Sequence, residues 1–184
     1  NMEAFFRATF EAWRDHRGSG REEWYVGYSP ILVVDAAMVL RELPAAHFLH
    51  VVRNPWSAYA DTKKRPVPLS LTGYMLAWCL NQHCALLARE RFPDRFHLLR
   101  TEDTLEGALP ELCGRIGLED TESLATPTWN GEPLAEVYPW GTIRTATPEA
   151  NRATAEELSA AERDEVRVRA GLFLEALGYA DFLA

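Results

Sequence analysis

Short apolar runs alternate along this chain with longer stretches whose apolar residues recur at helical spacing. The opening Asn1-Met2-Glu3-Ala4-Phe5-Phe6 leads into an amphipathic helix carrying Phe5, Phe6, Phe10 and Trp13. The polar run Asp15-His16-Arg17-Gly18-Ser19-Gly20 ends it. Trp24-Tyr25-Val26-Gly27-Tyr28 is aromatic and β-branched, which predicts a strand. Ser29-Pro30 reads as an N-cap followed by proline at the first helical position. That helix runs to about Glu42 with Ile31, Val34, Ala37 and Met38 on one face, and Leu43-Pro44 stops it. His47-Phe48-Leu49-His50-Val51-Val52 is apolar toward both faces, as a buried parallel strand is. Arg53-Asn54-Pro55 breaks the strand, and Pro55 opens a helix to about Lys64.

After the turn Arg65-Pro66-Val67-Pro68, a long helix spans roughly residues 71–91, with Met75, Trp78, Cys79, Gln82 and Leu86 periodic. Phe96-His97-Leu98-Leu99-Arg100 predicts a second buried strand. A helix follows over about 109–116, with Pro110 in its first turn and Gly117 as its stop. Residues 119–153 lack clear periodicity and hold Pro127, Pro133, Pro139 and Pro148, which predicts a long loop of functional or lid type. Ser159-Ala160-Ala161-Glu162 is a capping box; Val166, Ala170, Phe173, Leu174 and Leu177 line the helix behind it, and Gly178 closes it. Strands alternating with helices imply an α/β fold, a parallel sheet flanked by helices. Ligands of such sheets bind outside the carboxyl ends of the strands.

Length and composition narrow this picture. The chain has 184 residues, the size of a single domain. Its 47% hydrophobic and 25% charged residues exclude a disordered or collagenous chain. Ile31–Val34 and Ala36–Leu40 are far shorter than the ~20 residues of a membrane span. The net charge of −8 makes nucleic acid and anionic membrane poor partners, since both require a basic face. Cys79, Cys84 and Cys113 are odd in number, which suggests reduced core thiols and a cytoplasmic setting. No Cys/His set has zinc spacing. The abrupt opening, with neither an initiator Met nor a basic signal region, reads as a chain that begins in mid-element.

The chemistry lies at the strand ends, Tyr28-Ser29-Pro30, Arg53-Asn54-Pro55 and Arg100-Thr101-Glu102-Asp103. An arginine at the end of a buried strand stands beside the N-terminus of the next helix, whose free N–H groups and dipole favour an anion. The guanidinium adds a planar fork suited to phosphate. Ser57, Thr62, Lys63 and Lys64 follow on the same helix, so the expected feature is an oxyanion pocket at Arg53. The competing expectation is a strand-end arginine paired with a carboxylate such as Asp61 for stability.

Val51-Val52-Arg53-Asn54-Pro55-Trp56-Ser57-Ala58-Tyr59 resembles the strand–Arg-(Asp/Asn)-Pro–helix segment of sulfotransferases, which use 3′-phosphoadenosine 5′-phosphosulfate (PAPS). Leu98-Leu99-Arg100-Thr101-Glu102-Asp103 resembles their Arg-Tyr-Glu-Asp-Leu strand end, with Thr101 in place of tyrosine. Tyr28-Ser29-Pro30 resembles their Lys-(Ser/Thr)-Pro, and Leu112–Leu118 the helix that follows the second arginine. The likeness covers roughly residues 24–118 well and the tail loosely.

This resemblance implies a P-loop-type α/β architecture, as one domain over 1–184, and a sulfuryl transfer to a hydroxyl or amine of a small molecule or carbohydrate. It implies Arg53 as a ligand of the 3′-phosphate. The family's second ligand, a serine eight residues on, falls at Asp61, with Thr62 adjacent and Ser57 one turn nearer Arg53. A carboxylate there is expected to repel the phosphate. Arg144, in Tyr138-Pro139-Trp140-Gly141-Thr142-Ile143-Arg144, corresponds to the family's basic C-terminal loop, and Trp129, Tyr138 and Trp140 are candidates to stack on adenine or cover a sheet edge. No metal is implied. The family's glycine-rich phosphosulfate loop follows a first strand; Gly18-Ser19-Gly20-Arg21 has no strand before it and reads as a surface turn. The expectation is a domain whose N-terminal strand and phosphosulfate loop lie upstream. His47, His50 and His97 fall inside strands, His83 in mid-helix and His16 in a loop, so no base is assigned. Two other readings stand beside this one: a P-loop-type kinase, and a degenerate nucleotide- or partner-binding module.

Overall fold

The computed structural model describes residues 3–5, 8–9, 24, 26–119, 124, 128–129, 132–133, 137–138, 141–142 and 147–183. Its centre is a parallel pair of strands, β1 (Phe48–Val52) and β2 (Phe96–Arg100), in register from Phe48 opposite Phe96 to Val52 opposite Arg100. Parallel neighbours need a crossover. Here it consists of two helices, α2 (Pro55–Lys63) and α3 (Leu71–Arg91). Before β1 come a 3₁₀ turn (Leu32–Asp35) and α1 (Ala36–Glu42). After β2 come a second 3₁₀ segment (Thr101–Glu106), α4 (Ala108–Ile116), α5 (Pro148–Ala155) and α6 (Ala160–Ala176). Four two-residue strands form two antiparallel pairs between α4 and α5: β3 (Thr128–Trp129) with β4 (Glu132–Pro133), and β5 (Val137–Tyr138) with β6 (Gly141–Thr142). The molecule is therefore α/β with a small parallel sheet.

Two apolar clusters lie along the inward face of the sheet, the face of Phe48, Val52, Phe96 and Leu98, and share Leu98. Val33, Ala36 and Leu40 pack with Ala85, Ala88 and Phe96 near the strands' amino ends. The larger cluster joins Val52, Trp56, Tyr59, Met75 and Trp78 to Ala155, Val166, Ala170, Leu174 and Tyr179 at the carboxyl ends. The elements that position the strand ends are thus α2, α3, α5, α6 and the segment after α6.

Local chemistry sets the boundaries. Asn54 caps α2 by accepting from the Ser57 N–H, and Pro55 follows in the first turn. Ser70 caps α3 through Gly73 N–H. Ser159 and Glu162 form the predicted capping box of α6. Gly117 and Gly178 end α4 and α6 with φ of 78° and 71°, a conformation that disfavours a Cβ.

Several expectations are corrected. The described residues of Trp24–Tyr28 form no strand; they lie exposed without regular structure. Ser29 caps no helix: the first turn is 3₁₀, preceded by Ile31 without a side-chain cap. Three residues per turn shift the buried face to Val33, Ala36, Val39 and Leu40, leaving Ile31, Val34 and Met38 outward. β1 is not buried on both faces. Phe48, His50 and Val52 turn inward, whereas Leu49 and Val51 are 44% and 53% exposed. On that side α4 packs over β2, where His97 and Leu99 are buried, and stops short of β1. Finally, residues 148–155 of the supposed long loop are helix α5, with Thr147 accepting from the Ala150 N–H and Pro148 in the first turn.

At the N-terminus, Glu3–Phe5 and residues 8–9 are helical, and the Thr9 hydroxyl donates to the Phe5 carbonyl. Phe6, Phe10, Trp13 and the Gly18–Arg21 run lie outside the described residues.

Candidate functional site

The carboxyl ends of β1 and β2 are side by side, so the two arginine motifs, read separately in the sequence, meet in space. Between them runs a buried polar network. Asn54 lies at its centre, fully buried. Its Nδ2 donates to Glu102 Oε1 at 2.6 Å and to Ser57 Oγ at 2.5 Å, and its backbone N–H donates to the same Glu102 oxygen at 3.1 Å. The Tyr179 hydroxyl donates to Glu102 Oε2 at 2.6 Å. Ser57 Oγ donates to Asn151 Oδ1 at 3.0 Å, and Asn151 Nδ2 donates to the Thr147 carbonyl. A buried carboxylate is costly unless it is well bonded; Glu102 has three donors here. Among the described residues, no buried side-chain polar atom is left without a partner.

Arg53 leans out of this network. Its Nε donates to Asn151 Oδ1 at 2.6 Å, and its Nη1 reaches Asp61 Oδ2 at 2.5 Å. The side chains of Arg53 and Asp61 are 30% and 22% exposed, so the pair borders solvent. Asp61 Oδ1 lies 3.5 Å from Lys64 Nζ, which also meets Glu157 at 2.5 Å. Trp78 Nε1 donates to the Arg53 carbonyl and fixes the backbone where the strand ends.

Of the residues singled out from the sequence, Arg53, Ser57 and Asp61 come together. Asp61 pairs with Arg53, the alternative entertained for it. Ser57 is wholly enclosed, its hydroxyl bonded to Asn54 and Asn151. Thr62 is at the other end of α2 and donates its hydroxyl to the Ala58 carbonyl. Lys63 is held by Glu162. Arg144 and Trp140 lie outside the described residues.

Arg100 does different work from Arg53. Its Nε and Nη2 form a fork onto both oxygens of Asp103, each at 2.6 Å. Nη1 donates to the Gly178 carbonyl at 2.9 Å, and the guanidinium stacks on the Tyr179 ring. This arginine anchors the segment after α6. Thr101, at the tyrosine position of the resembled motif, donates its hydroxyl to the Val52 carbonyl and ties the two strand ends. Burial, then the Glu102 carboxylate, raise the Tyr179 phenol far above its ordinary range, so it stays a donor.

Sequence reasoning did not find Asn151 or Tyr179. Thr147-Pro148 was a legible helix start that would have placed Asn151 on an element rather than a loop. Tyr179 follows the helix stop Gly178 and carries no local signal.

The described histidines lie away from the carboxyl ends of the strands. His47 Nδ1 and His97 Nε2 are 3.0 Å apart, and His50 Nε2 bonds Gln82 Oε1. Burial lowers the pKa of His50, against a smaller opposing effect from Gln82. Burial also lowers that of His97, helped by His47 and Arg115. Tyr28 and Ser29 face a cavity of about 420 Å³ on the open side of β1, which Leu49, His50 and Val51 also line. Cys79, Cys84 and Cys113 are free thiols. No described helix is long and apolar enough to cross a membrane. Comparison with protein-family models, with curated proteins and with solved structures finds no match to this chain.

Proposed function

We propose that this chain is a sulfotransferase-type domain of P-loop-like architecture, which moves a sulfuryl group from PAPS to a hydroxyl or amine of a small molecule or carbohydrate. One observation carries the reading. Arg53-Asn54-Pro55 and Arg100-Thr101-Glu102-Asp103 stand on neighbouring carboxyl ends of parallel strands, and Glu102 of one holds Asn54 of the other. That is the edge where open α/β sheets bind ligands.

In this reading Arg53 contributes the cation for the nucleotide's 3′-phosphate, at the solvent-bordering start of α2. Asn151 orients the guanidinium through Nε. Asn54, Ser57 and Glu102 hold the strand–helix corner rigid behind it. The cavity beside β1 ends at Val51, two residues before Arg53, and is the proposed acceptor site. Its volume falls in the ~300–1,000 Å³ range of small-molecule pockets. No described histidine stands at the strand ends, and the reading assigns no base.

The test is binding followed by transfer. Adenosine 3′,5′-bisphosphate is expected to bind tighter than AMP by calorimetry, with the difference abolished in Arg53→Gln, and labelled PAPS to transfer its sulfuryl group to a hydroxyl or amine acceptor. Equal affinity for the two nucleotides overturns the proposal. A second reading, a binding module without chemistry, is favoured by the Arg53–Asp61 pair, which already neutralises the key cation. It predicts nucleotide or partner binding with no transfer.

A further inference from the structure

Arg53 is held in two ways that differ in kind. Nε is bonded to Asn151, a buried amide whose own Nδ2 is tied to the Thr147 carbonyl at the N-cap of the same helix, α5. Nη1 is bonded to Asp61, which is partly exposed and sits in the last turn of α2. The first partner fixes the plane of the guanidinium. The second occupies Nη1, in an ion pair whose two side chains both border solvent.

Asp61 also has somewhere to go. Its other oxygen already lies 3.5 Å from Lys64 Nζ, one helical turn on. The Lys64 ammonium is shared with Glu157, whose side chain is 48% exposed and free to rehydrate. The carboxylate can therefore leave Arg53 without losing a cation, by closing fully on Lys64.

We propose that Asp61 is a built-in ligand of Arg53, displaced by an incoming phosphate dianion, with Lys64 as the position that receives it. The inference rests on the anion-site reading above and goes beyond it by naming what the site selects. A singly charged ligand exchanges one negative charge for another at Nη1 and gains little. A phosphate monoester carries about −1.5 to −2 at neutral pH and presents three acceptor oxygens to a guanidinium already oriented by Asn151. The exchange thus sets a threshold of charge, and Asp61 is the residue that sets it.

The full chain is titrated calorimetrically with adenosine 3′,5′-bisphosphate and with inorganic phosphate. Asp61→Asn keeps the shape and removes the competing charge; it is expected to bind the bisphosphate at least tenfold tighter than wild type, and Arg53→Gln in the same background to abolish the gain. Lys64→Gln leaves the Arg53–Asp61 pair intact but removes the receiving cation. It is expected to weaken binding several-fold in wild type and distinctly less in Asp61→Asn. Equal affinity of wild type and Asp61→Asn overturns the exchange and leaves the anion site standing. Absence of binding of both probes to both proteins overturns the anion site and the exchange with it. If Asp61→Asn does not fold, Lys64→Gln decides: unchanged affinity overturns the exchange.

Discussion

Glu102, at the end of β2, receives the Tyr179 hydroxyl on one carboxylate oxygen and both nitrogens of Asn54 on the other. A residue after the last helix and a residue at the first strand end are thereby held by one buried charge. Glu102→Gln replaces one of the two oxygens that take three donors with an amide NH2, so that the Tyr179 hydroxyl must turn to the poorer acceptor at the Val52 carbonyl, 3.4 Å away. The expected loss is about 2–3 kcal/mol, and Tyr179→Phe is expected to lose about 1–2 kcal/mol. Because they share a partner, the double variant should lose measurably less than the sum in denaturant melts. Strict additivity would show that the contacts are independent.

Gly178 offers a second test of the same corner. Its φ is positive, and a Cβ added there would come within 2.9 Å of Arg100 Nη1. Gly178→Ala is expected to cost about 1–2 kcal/mol from the left-handed backbone alone. It should also push the guanidinium off the Gly178 carbonyl. Arg100→Lys, which cannot form the fork onto Asp103, should lower the melting temperature while leaving anion affinity at Arg53 unchanged. A loss of anion affinity in Arg100→Lys would place Arg100 among the ligands.

The buried histidines predict an acid response. Both His50 and His97 have lowered pKa values in the folded protein, chiefly through burial. The folded state then binds fewer protons than the unfolded chain. The stability they contribute is present above the ordinary histidine value of 6.5 and is lost as pH falls through the lowered folded values. Thermal melts should weaken from about pH 7 to about pH 5, and His50→Gln should flatten that dependence. A wild-type melt unchanged over this interval would contradict the assignment.

The open face of β1 predicts tolerance. Leu49→Thr and Val51→Thr should each change stability by no more than about 0.5 kcal/mol, as exposed positions do. Losses of about 2 kcal/mol or more in denaturant melts would show that this face is covered.

The boundaries of α2, α3, α4 and α6 were legible because each is marked locally, by Asn54-Pro55, Ser70, Gly117 and the Ser159–Glu162 box. The face of α1 was not, because a 3₁₀ start shifts the register that an α-helical period assumes. Leu49 and Val51 read as buried because an apolar run says nothing about whether a neighbour arrives to cover it. At the candidate site, Arg53 and Asp61 were visible together, since Arg53 precedes the cap of α2 and Asp61 follows about two helical turns on. Asn151 and Tyr179 join through tertiary packing, which no spacing records.

The network at Asn54 is built from partners 48, 77 and 94 positions apart along the chain, linking Asn54 to Glu102, Glu102 to Tyr179 and Ser57 to Asn151. Loop-closure entropy grows only logarithmically with such separations, so their cost differs by less than ~1 kcal/mol. What the separations do control is cooperativity: no subset of neighbouring residues can form the corner by itself. The Asn54 amide hydrogen, held by Glu102 48 positions on, is therefore expected to exchange through openings that part β1 from β2, whereas that of Ser57 is held by the local Asn54 cap and reports the start of α2. The Asn54 exchange rate thus reports the strand-end opening, and a ligand bound at Arg53 that favours the closed corner is expected to slow it by a factor that grows with ligand concentration over Kd.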